Sequence, residues 1–152
     1  MRPKRLAIRA GMNPVKPGGG DAVDRSPVRR IYRYLLAAAF VLAGANHFLK
    51  PDFYVAIMPP YLPWHLPLVW ISGVFEILGG LGVLFPHPLR RYAAWGLVAL
   101  LIAVFPANLH VALNDVAVAG LPASPVFNWV RLPFQLVFIA WVIWCTSPPP
   151  RR

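Results

Sequence analysis

The sequence predicts an all-α protein, a transmembrane four-helix bundle with both termini in the cytoplasm. Three observations lead to this fold class: the composition, four long apolar runs, and the placement of lysine and arginine. The 152 residues are 58% hydrophobic and only 13% charged, with a mean hydropathy of +0.56. Soluble domains carry about 25% charged residues. A chain of this length suits one domain, and this composition favours a lipid bilayer as its surroundings.

Four apolar runs are long enough to cross a bilayer. Each has roughly 17 to 22 residues, and about 20 residues in a helix span ~30 Å of hydrocarbon. The last is the shortest and the most marginal. The four predicted spans cover residues 31–49, 66–85, 92–113 and 129–145.

Lysine and arginine indicate the direction of the chain through the membrane. Nine of the fifteen precede position 34, and cytoplasmic segments of membrane proteins carry the excess of positive residues. With both termini and the turn before Tyr92 inside, only Lys50 and Arg131 lie outside. The net charge of +10 is therefore typical of a membrane protein with a basic tail, and it does not predict a nucleic-acid partner.

The predicted bundle occupies residues 31–146, between two tails. Residues 1–30 are rich in Arg, Pro and Gly and lack an apolar signal-peptide core, so a disordered basic cytoplasmic tail is expected. Residues 147–152 form a second short cytoplasmic tail. The proline-rich outer loop after Lys50 is predicted to cap the bundle, with a short helix near 52–58.

One carboxylate, Glu76, lies inside the apolar run WISGVFEILGGLGVLF at residues 70–85. Ser72 and Gly80 share its helical face, and small residues on a face let a second helix approach. Glu76 should therefore point into the bundle, where an ionised group is costly. It is expected to be a neutral acid or to meet a cation or several donors. Two interpretations stay open: a catalytic acid that handles protons or binds a ligand, and a packing residue hydrogen-bonded across helices.

Other polar residues fall in the outer half of the predicted bundle, which suggests a polar pocket that opens outward with Glu76 as its floor. His47 could instead cap its helix, and Arg131 could extend to the interface. Pro106 should bend the third span near Asn108 and free a carbonyl. No histidine spacing indicates a metal site, and a lone cysteine excludes an internal disulfide. The candidate ligand-binding residues are His47, Asn108, Arg131 and Gln135; Asn46 and His110 lie at similar depth.

Four segments resemble the DoxX family of small bacterial four-helix membrane proteins: GANHFLKPDFYVAIMPPYLP, ISGVFEILGGLGVLFP, RRYAAWGLVALLIAVFPANLH and RLPFQ. The resemblance covers about residues 31–146. It implies a multi-pass protein of the bacterial inner membrane, linked to thiosulfate:quinone oxidoreduction and to complexes that handle thiol and oxidative stress. The family's polar membrane positions correspond here to His47, Glu76, Asn108, Arg131 and Gln135.

The sequence has no cysteine pair and no haem-ligand pair, so a redox role requires a partner protein or a bound quinone. The expected function is a membrane subunit of a redox or oxidative-stress complex rather than a stand-alone enzyme, with a quinone-like molecule in the pocket. Its expected partners are the lipid bilayer, a soluble or membrane redox protein, and a second copy of itself. The alternative is a non-enzymatic anchor or assembly factor. A small transporter ranks last, because the cytoplasmic half lacks polar residues to continue a path.

Overall fold

The computed structural model describes residues 27–116 and 124–147, and within these ranges every regular element is a helix. The predicted all-α class is therefore confirmed. The predicted tails lie largely outside the described residues. In chain order the five helices are α1 (Pro27–Leu49), α2 (Pro51–Ala56), α3 (His65–Gly82), α4 (Leu89–Asn114) and α5 (Pro125–Thr146).

Each long helix contains most of a predicted apolar run, and the ends differ for local reasons. α1 begins four residues before the predicted run, at Pro27, and α5 begins at Pro125. Proline is favoured at the first helical position, where its missing N–H costs no hydrogen bond. The last run is thus a 22-residue helix, longer than its apolar core suggested.

Three helices, α3, α4 and α5, are long and apolar enough to cross a membrane. Many of their large apolar side chains point away from the protein, Ile102 being 60% and Leu136 63% exposed. Such surfaces are suited to contact with acyl chains. α1 has 23 residues but is not among the three, and it carries Arg29, Arg30 and Arg33. The length and composition of the helices are those of a membrane protein.

The four long helices form a closed ring. α3 packs between α1 and α4, and α5 packs against α4 and also against α1. The N-terminal half of α1 contacts the C-terminal half of α5, where the Tyr32 and Trp144 ring centroids are 5.5 Å apart. One apolar core cluster fills this end of the ring. Its buried residues include Leu36, Phe40, Val83, Leu97 and Val142.

Glycines set the close approach of α1 and α3. A Cβ on Gly44 would lie 2.6 Å from the Gly73 carbonyl oxygen, and one on Gly73 would lie 2.8 Å from His47 Cβ. Real Cβ atoms do not come this close to other atoms, so neither position has room for a side chain. Small residues at helix crossings in membranes act in this way, and the pair brings the polar residues of α1 and α3 within reach of each other.

The predicted cap over one end of the ring contains a helix near the expected place, α2. Phe53 from α2 and Ile57 just after it pack against Val111 of α4 and Val116 beyond it. Only Lys50 separates α1 from α2, so the chain folds back at once over the end of α1. This places α2 directly above the polar residues of the last turn of α1.

Candidate functional site

His47 of α1 and Glu76 of α3 face each other across the α1–α3 interface. The His47 Nε2 atom lies 3.6 Å from Glu76 Oε2, and their side chains are only 9% and 14% exposed. Gly44 and Gly73 make this approach possible, because a Cβ on Gly73 would collide with His47. The sequence predicted one pocket for these two residues, and in the structure their side chains face each other at 3.6 Å.

The orientation of the imidazole fixes which nitrogen carries its first proton. His47 Nδ1 lies 2.9 Å from the backbone carbonyl oxygen of Val69. A carbonyl oxygen only accepts hydrogen bonds, so Nδ1 must be the donor. In a neutral imidazole the other nitrogen, Nε2, then has a free lone pair, and it is this nitrogen that faces Glu76. A single proton can therefore reside on Glu76 or on Nε2.

One atom of the pair lacks a hydrogen bond. Glu76 Oε2 is buried and has no hydrogen-bond partner, and 3.6 Å exceeds the ~3.2 Å upper range for N–H···O hydrogen bonds. Buried polar atoms are nearly always paired, and an exception calls for a water, an ion or a functional role. The site has the donor and acceptor chemistry for one more polar group at Oε2.

Tyr54 of α2 covers His47. Its ring stacks on the His47 imidazole with centroids 3.6 Å apart and planes inclined by 26°. Asn46 Nδ2 donates to the Tyr54 hydroxyl at 3.0 Å. Burial raises the pKa of Tyr54 above its ordinary value, so its hydroxyl stays neutral at physiological pH and can still donate its own proton.

Sequence reasoning missed this role of Tyr54, because it predicted only that the loop after Lys50 caps the bundle. The available signal was the spacing: Asn46 and Tyr54 are eight residues apart, and Pro51 lies between them. A proline there can begin a new helix that returns over the first. Composition alone could not distinguish that arrangement from an interfacial loop.

Asn108 and Gln135 form a second polar pair, between α4 and α5. Asn108 Nδ2 donates to Gln135 Oε1 at 3.2 Å, and Gln135 Nε2 donates to the Leu101 carbonyl. Leu101 immediately precedes Ile102, whose carbonyl would accept from residue 106 in a regular helix. Pro106 has no N–H to give, so the carbonyl predicted to be free is that of Ile102. It is the next carbonyl after the one that accepts from Gln135.

Arg131 lies about 9 Å along α5 from its start, at ~1.5 Å per residue, because α5 begins at Pro125. Its guanidinium carbon is 5.5 Å from the centroid of the Phe127 ring, one turn earlier on the same helix. His110 pairs with Asn114 on α4 at 3.0 Å. The predicted site residues thus form two pairs at different interfaces, with Arg131 beside Phe127. Among the described contacts, no hydrogen bond or ion pair joins the two pairs.

Chemically, the α1–α3 pair can hold and exchange one proton in a buried setting. Its polar atoms suited to a ligand oxygen are Glu76 Oε2 and the Tyr54 hydroxyl. Within residues 27–116 and 124–147, no group of three or more His, Cys, Asp or Glu residues could hold a metal ion.

Comparison with known proteins gives one result. A family model described as "Domain of unknown function (DUF8561)" matches residues 36–146, which includes both polar pairs and Arg131. No curated protein and no solved structure shows a significant match to the chain.

Proposed function

The chain belongs to the domain family of unknown function DUF8561, and from its geometry we propose that it is an integral membrane subunit of a redox complex. In this proposal His47 and Glu76 deliver or accept the proton of a quinone-like lipophilic molecule. α1 joins the three apolar helices as a fourth span, with both termini in the cytoplasm of a bacterium and the inner membrane as its location. The resemblance to the DoxX family and the lysine and arginine placement support these finer features.

The observation that carries the proposal is the buried Glu76 Oε2 without a hydrogen-bond partner. A carboxyl group that served only to hold α1 and α3 together would be expected to complete its hydrogen bonds. Here the nearest side-chain nitrogen is His47 Nε2, at 3.6 Å. An added carbonyl or hydroxyl oxygen would satisfy the missing contact.

A quinone fits this donor set, because its two oxygens accept hydrogen bonds when oxidised and donate them when reduced. When bound, it supplies the electron-accepting and electron-donating chemistry that the side chains of the pair lack. Electrons come from a redox protein partner of the complex. Glu76 and the Tyr54 hydroxyl would hold the ligand oxygen, and the Tyr54 ring covers one face of the His47 imidazole.

The proton step follows from the fixed tautomer of His47. The neutral Glu76 acid would give its proton to the ligand oxygen and become a carboxylate. His47 Nε2 would then take up a replacement proton from water, while Nδ1–H remains bonded to the Val69 carbonyl oxygen. The resulting imidazolium and carboxylate stabilise each other until the proton returns to Glu76. Each cycle moves one proton and leaves both side chains unchanged.

A second candidate, the anchor or assembly factor, is favoured by a different observation. The Gly44–Gly73 contact and the Asn108–Gln135 hydrogen bond join helices without any ligand. Asn108 and Gln135 hydrogen-bond to each other, so the proton-transfer proposal rests on His47, Glu76 and Tyr54. Arg131, above the Phe127 ring, stays a predicted ligand-binding residue.

The two candidates separate in a binding experiment on the purified protein in mild detergent. Native mass spectrometry of the intact particle first identifies any retained lipophilic molecule, and a short-chain ubiquinone analogue is then titrated against tryptophan fluorescence. Glu76→Gln keeps the shape of the side chain but cannot exchange a proton. Asp52→Asn makes the same chemical change on the exposed face of α2 and is the matched control.

We expect saturable binding that weakens up to about tenfold in Glu76→Gln, as loss of one hydrogen bond predicts, and that is unchanged in Asp52→Asn. Equal affinity in all three proteins would contradict the proposal. A Glu76→Gln protein with altered thermal stability, and no ligand on the wild type, would establish the anchor instead.

A further inference from the structure

A cavity of about 400 Å³ lies at the turn between α3 and α4, at the end of the bundle remote from α2. Its lining residues are His87, Pro88, Arg91, Tyr92 and Trp95. The volume falls within the ~300–1,000 Å³ of pockets that take small molecules. His87 and Pro88 belong to the turn, and the other three lie in the first two turns of α4.

The two adjacent arginines at this turn have different roles. Arg90 is 4% exposed, and its Nε donates to the Phe85 carbonyl oxygen at 3.0 Å, which ties the turn to the start of α4. Arg91 is exposed and lines the cavity. Within residues 27–116 and 124–147, the Arg91 guanidinium has no hydrogen-bond or ion-pair partner. Its five N–H groups are therefore available to an external acceptor.

The charges around the cavity favour an anion. α1 begins at this end with Arg29 and Arg30. The carboxylates in the described part of the chain lie elsewhere: Asp52 in α2, Glu76 inside α3 and Asp115 at the far end of α4. The described residues at this end therefore supply no carboxylate, and an external anion would enter a positive field.

The remaining lining residues identify the class of anion. Arginine binds phosphate oxygens with a planar pair of N–H donors. Tyr92 and Trp95 are 71% and 59% exposed, and such rings favour the headgroup level of a membrane. The backbone amides of Arg90, Arg91 and Tyr92 donate to the carbonyls of Pro86 and Pro88. Recognition therefore rests on side chains.

We propose that this cavity binds a phosphate group, with Arg91 and His87 as the donors and Tyr92 and Trp95 as its apolar walls. The source of the phosphate is the headgroup of an anionic phospholipid or a free phosphate. The cavity lies at the opposite end of the bundle from α2 and its Tyr54 cover, so this site does not depend on proton transfer at Glu76.

The test is native mass spectrometry of the full chain in detergent, titrated with short-chain phosphatidylglycerol, short-chain phosphatidylcholine and inorganic phosphate. Arg91→Gln removes the proposed donor. Arg30→Gln removes the same charge from an exposed position at the same end, outside the cavity, and is the matched control. His87→Asn is a second probe, in case Arg91→Gln fails to fold, and thermal unfolding verifies each variant.

We expect phosphatidylglycerol binding to weaken about tenfold in Arg91→Gln, the size expected when a charge-assisted hydrogen bond is lost, and in His87→Asn in the same direction. Arg30→Gln should bind like the wild type. Trp95→Ala separates the sources: weaker lipid binding with unchanged inorganic phosphate binding supports a headgroup, and wild-type binding of both supports free phosphate. Equal losses in Arg91→Gln and Arg30→Gln, or none in Arg91→Gln and His87→Asn, would overturn the proposal.

Discussion

The imidazole of His47 presents Nε2 to Glu76 Oε2 at 3.6 Å, while Nδ1 donates to the Val69 carbonyl oxygen at 2.9 Å. This relationship turns an isolated membrane carboxylate into one half of a pair with a defined tautomer. Neither residue has a second ionisable neighbour in hydrogen-bond contact within the described chain. Because Nε2 and Oε2 are 3.6 Å apart, we expect the protonation of Glu76 to depend on that of His47.

The first prediction separates the two nitrogens of His47. In His47→Asn the amide can still donate to the Val69 carbonyl, but nothing replaces Nε2. Because the hydrogen bond to Val69 is retained, we expect the free energy of unfolding to change by no more than about 1 kcal/mol, which is the net worth of an ordinary hydrogen bond. Infrared spectra followed over pH should show the Glu76 carboxyl band changing together with a histidine ring band in the wild type. The histidine component should be lost in His47→Asn.

The Glu76→Gln variant identifies the Glu76 carboxyl band, because this band should be the one that disappears from its spectrum. Asp52→Asn should leave it in place. A carboxyl band in His47→Asn that titrates as in the wild type would show that the two residues are not coupled.

The second prediction concerns the close approach of α1 and α3. Gly73→Ala adds a Cβ within 2.8 Å of His47 Cβ and 2.9 Å of the Gly44 carbonyl oxygen. Because both neighbours belong to another helix, α1 and α3 must separate. We expect the free energy of unfolding in detergent to fall by about 1–3 kcal/mol, as in other overpacked sites.

Gly96→Ala on α4 is the matched control, since its Cβ would meet nothing within 4 Å. Alanine is the better helix former by ~0.8–1.0 kcal/mol, so this change should be neutral or stabilising. Equal stability of the two variants would mean that the α1–α3 contact is not tight.

The third prediction concerns the Asn108–Gln135 hydrogen bond. Gln135→Leu leaves the Asn108 amide and the Leu101 carbonyl without their partner, and Asn108→Leu removes the other half. In a double-mutant cycle we expect a coupling energy of about 0.6 kcal/mol and no more than ~1.7 kcal/mol, the range for interhelical hydrogen bonds in membranes. Chemical denaturation in detergent measures it. A coupling of zero would show that the two amides do not interact.

The sequence predicted the helical class and the apolar runs well, because burial in lipid leaves a long uninterrupted signal. The helix starts at Pro27 and Pro125 were harder to predict, because the residues that follow each proline precede the apolar run and resemble a loop. The pairing of His47 with Glu76 was foreseen only as a shared pocket. Its geometry depends on Gly44 and Gly73, and the sequence does not reveal which small residues of two helices meet.

The division of the polar residues between two interfaces could not be predicted either. In the predicted topology Asn108 and Gln135 lie at about the same depth as His47, and depth carries no information on which helices are neighbours. The position of Tyr54 depends on α2 returning over α1 after the single residue Lys50. That turn is a property of the packed structure, where Phe53 and Ile57 find Val111.

The last prediction uses the phenol of Tyr54. Burial raises the pKa of Tyr54 above its ordinary value of 10.0, the Asn46 hydrogen bond lowers it, and the charge of Glu76 raises it. The folded protein therefore holds the phenolic proton more tightly than the unfolded chain does. Stability from this group is complete below about pH 10 and declines as the pH rises from there toward the folded pKa.

Tyr54→Phe keeps the ring that stacks on His47 and removes the titrating hydroxyl. We expect thermal unfolding midpoints measured between about pH 8 and pH 11 to fall less steeply in Tyr54→Phe than in the wild type, because the unfolded state no longer gains from phenol ionisation. Tyr61→Phe changes an exposed tyrosine in the same connection (70% exposed) and should retain the wild-type slope. Identical slopes for all three proteins would show that the Tyr54 hydroxyl is not protected by the fold.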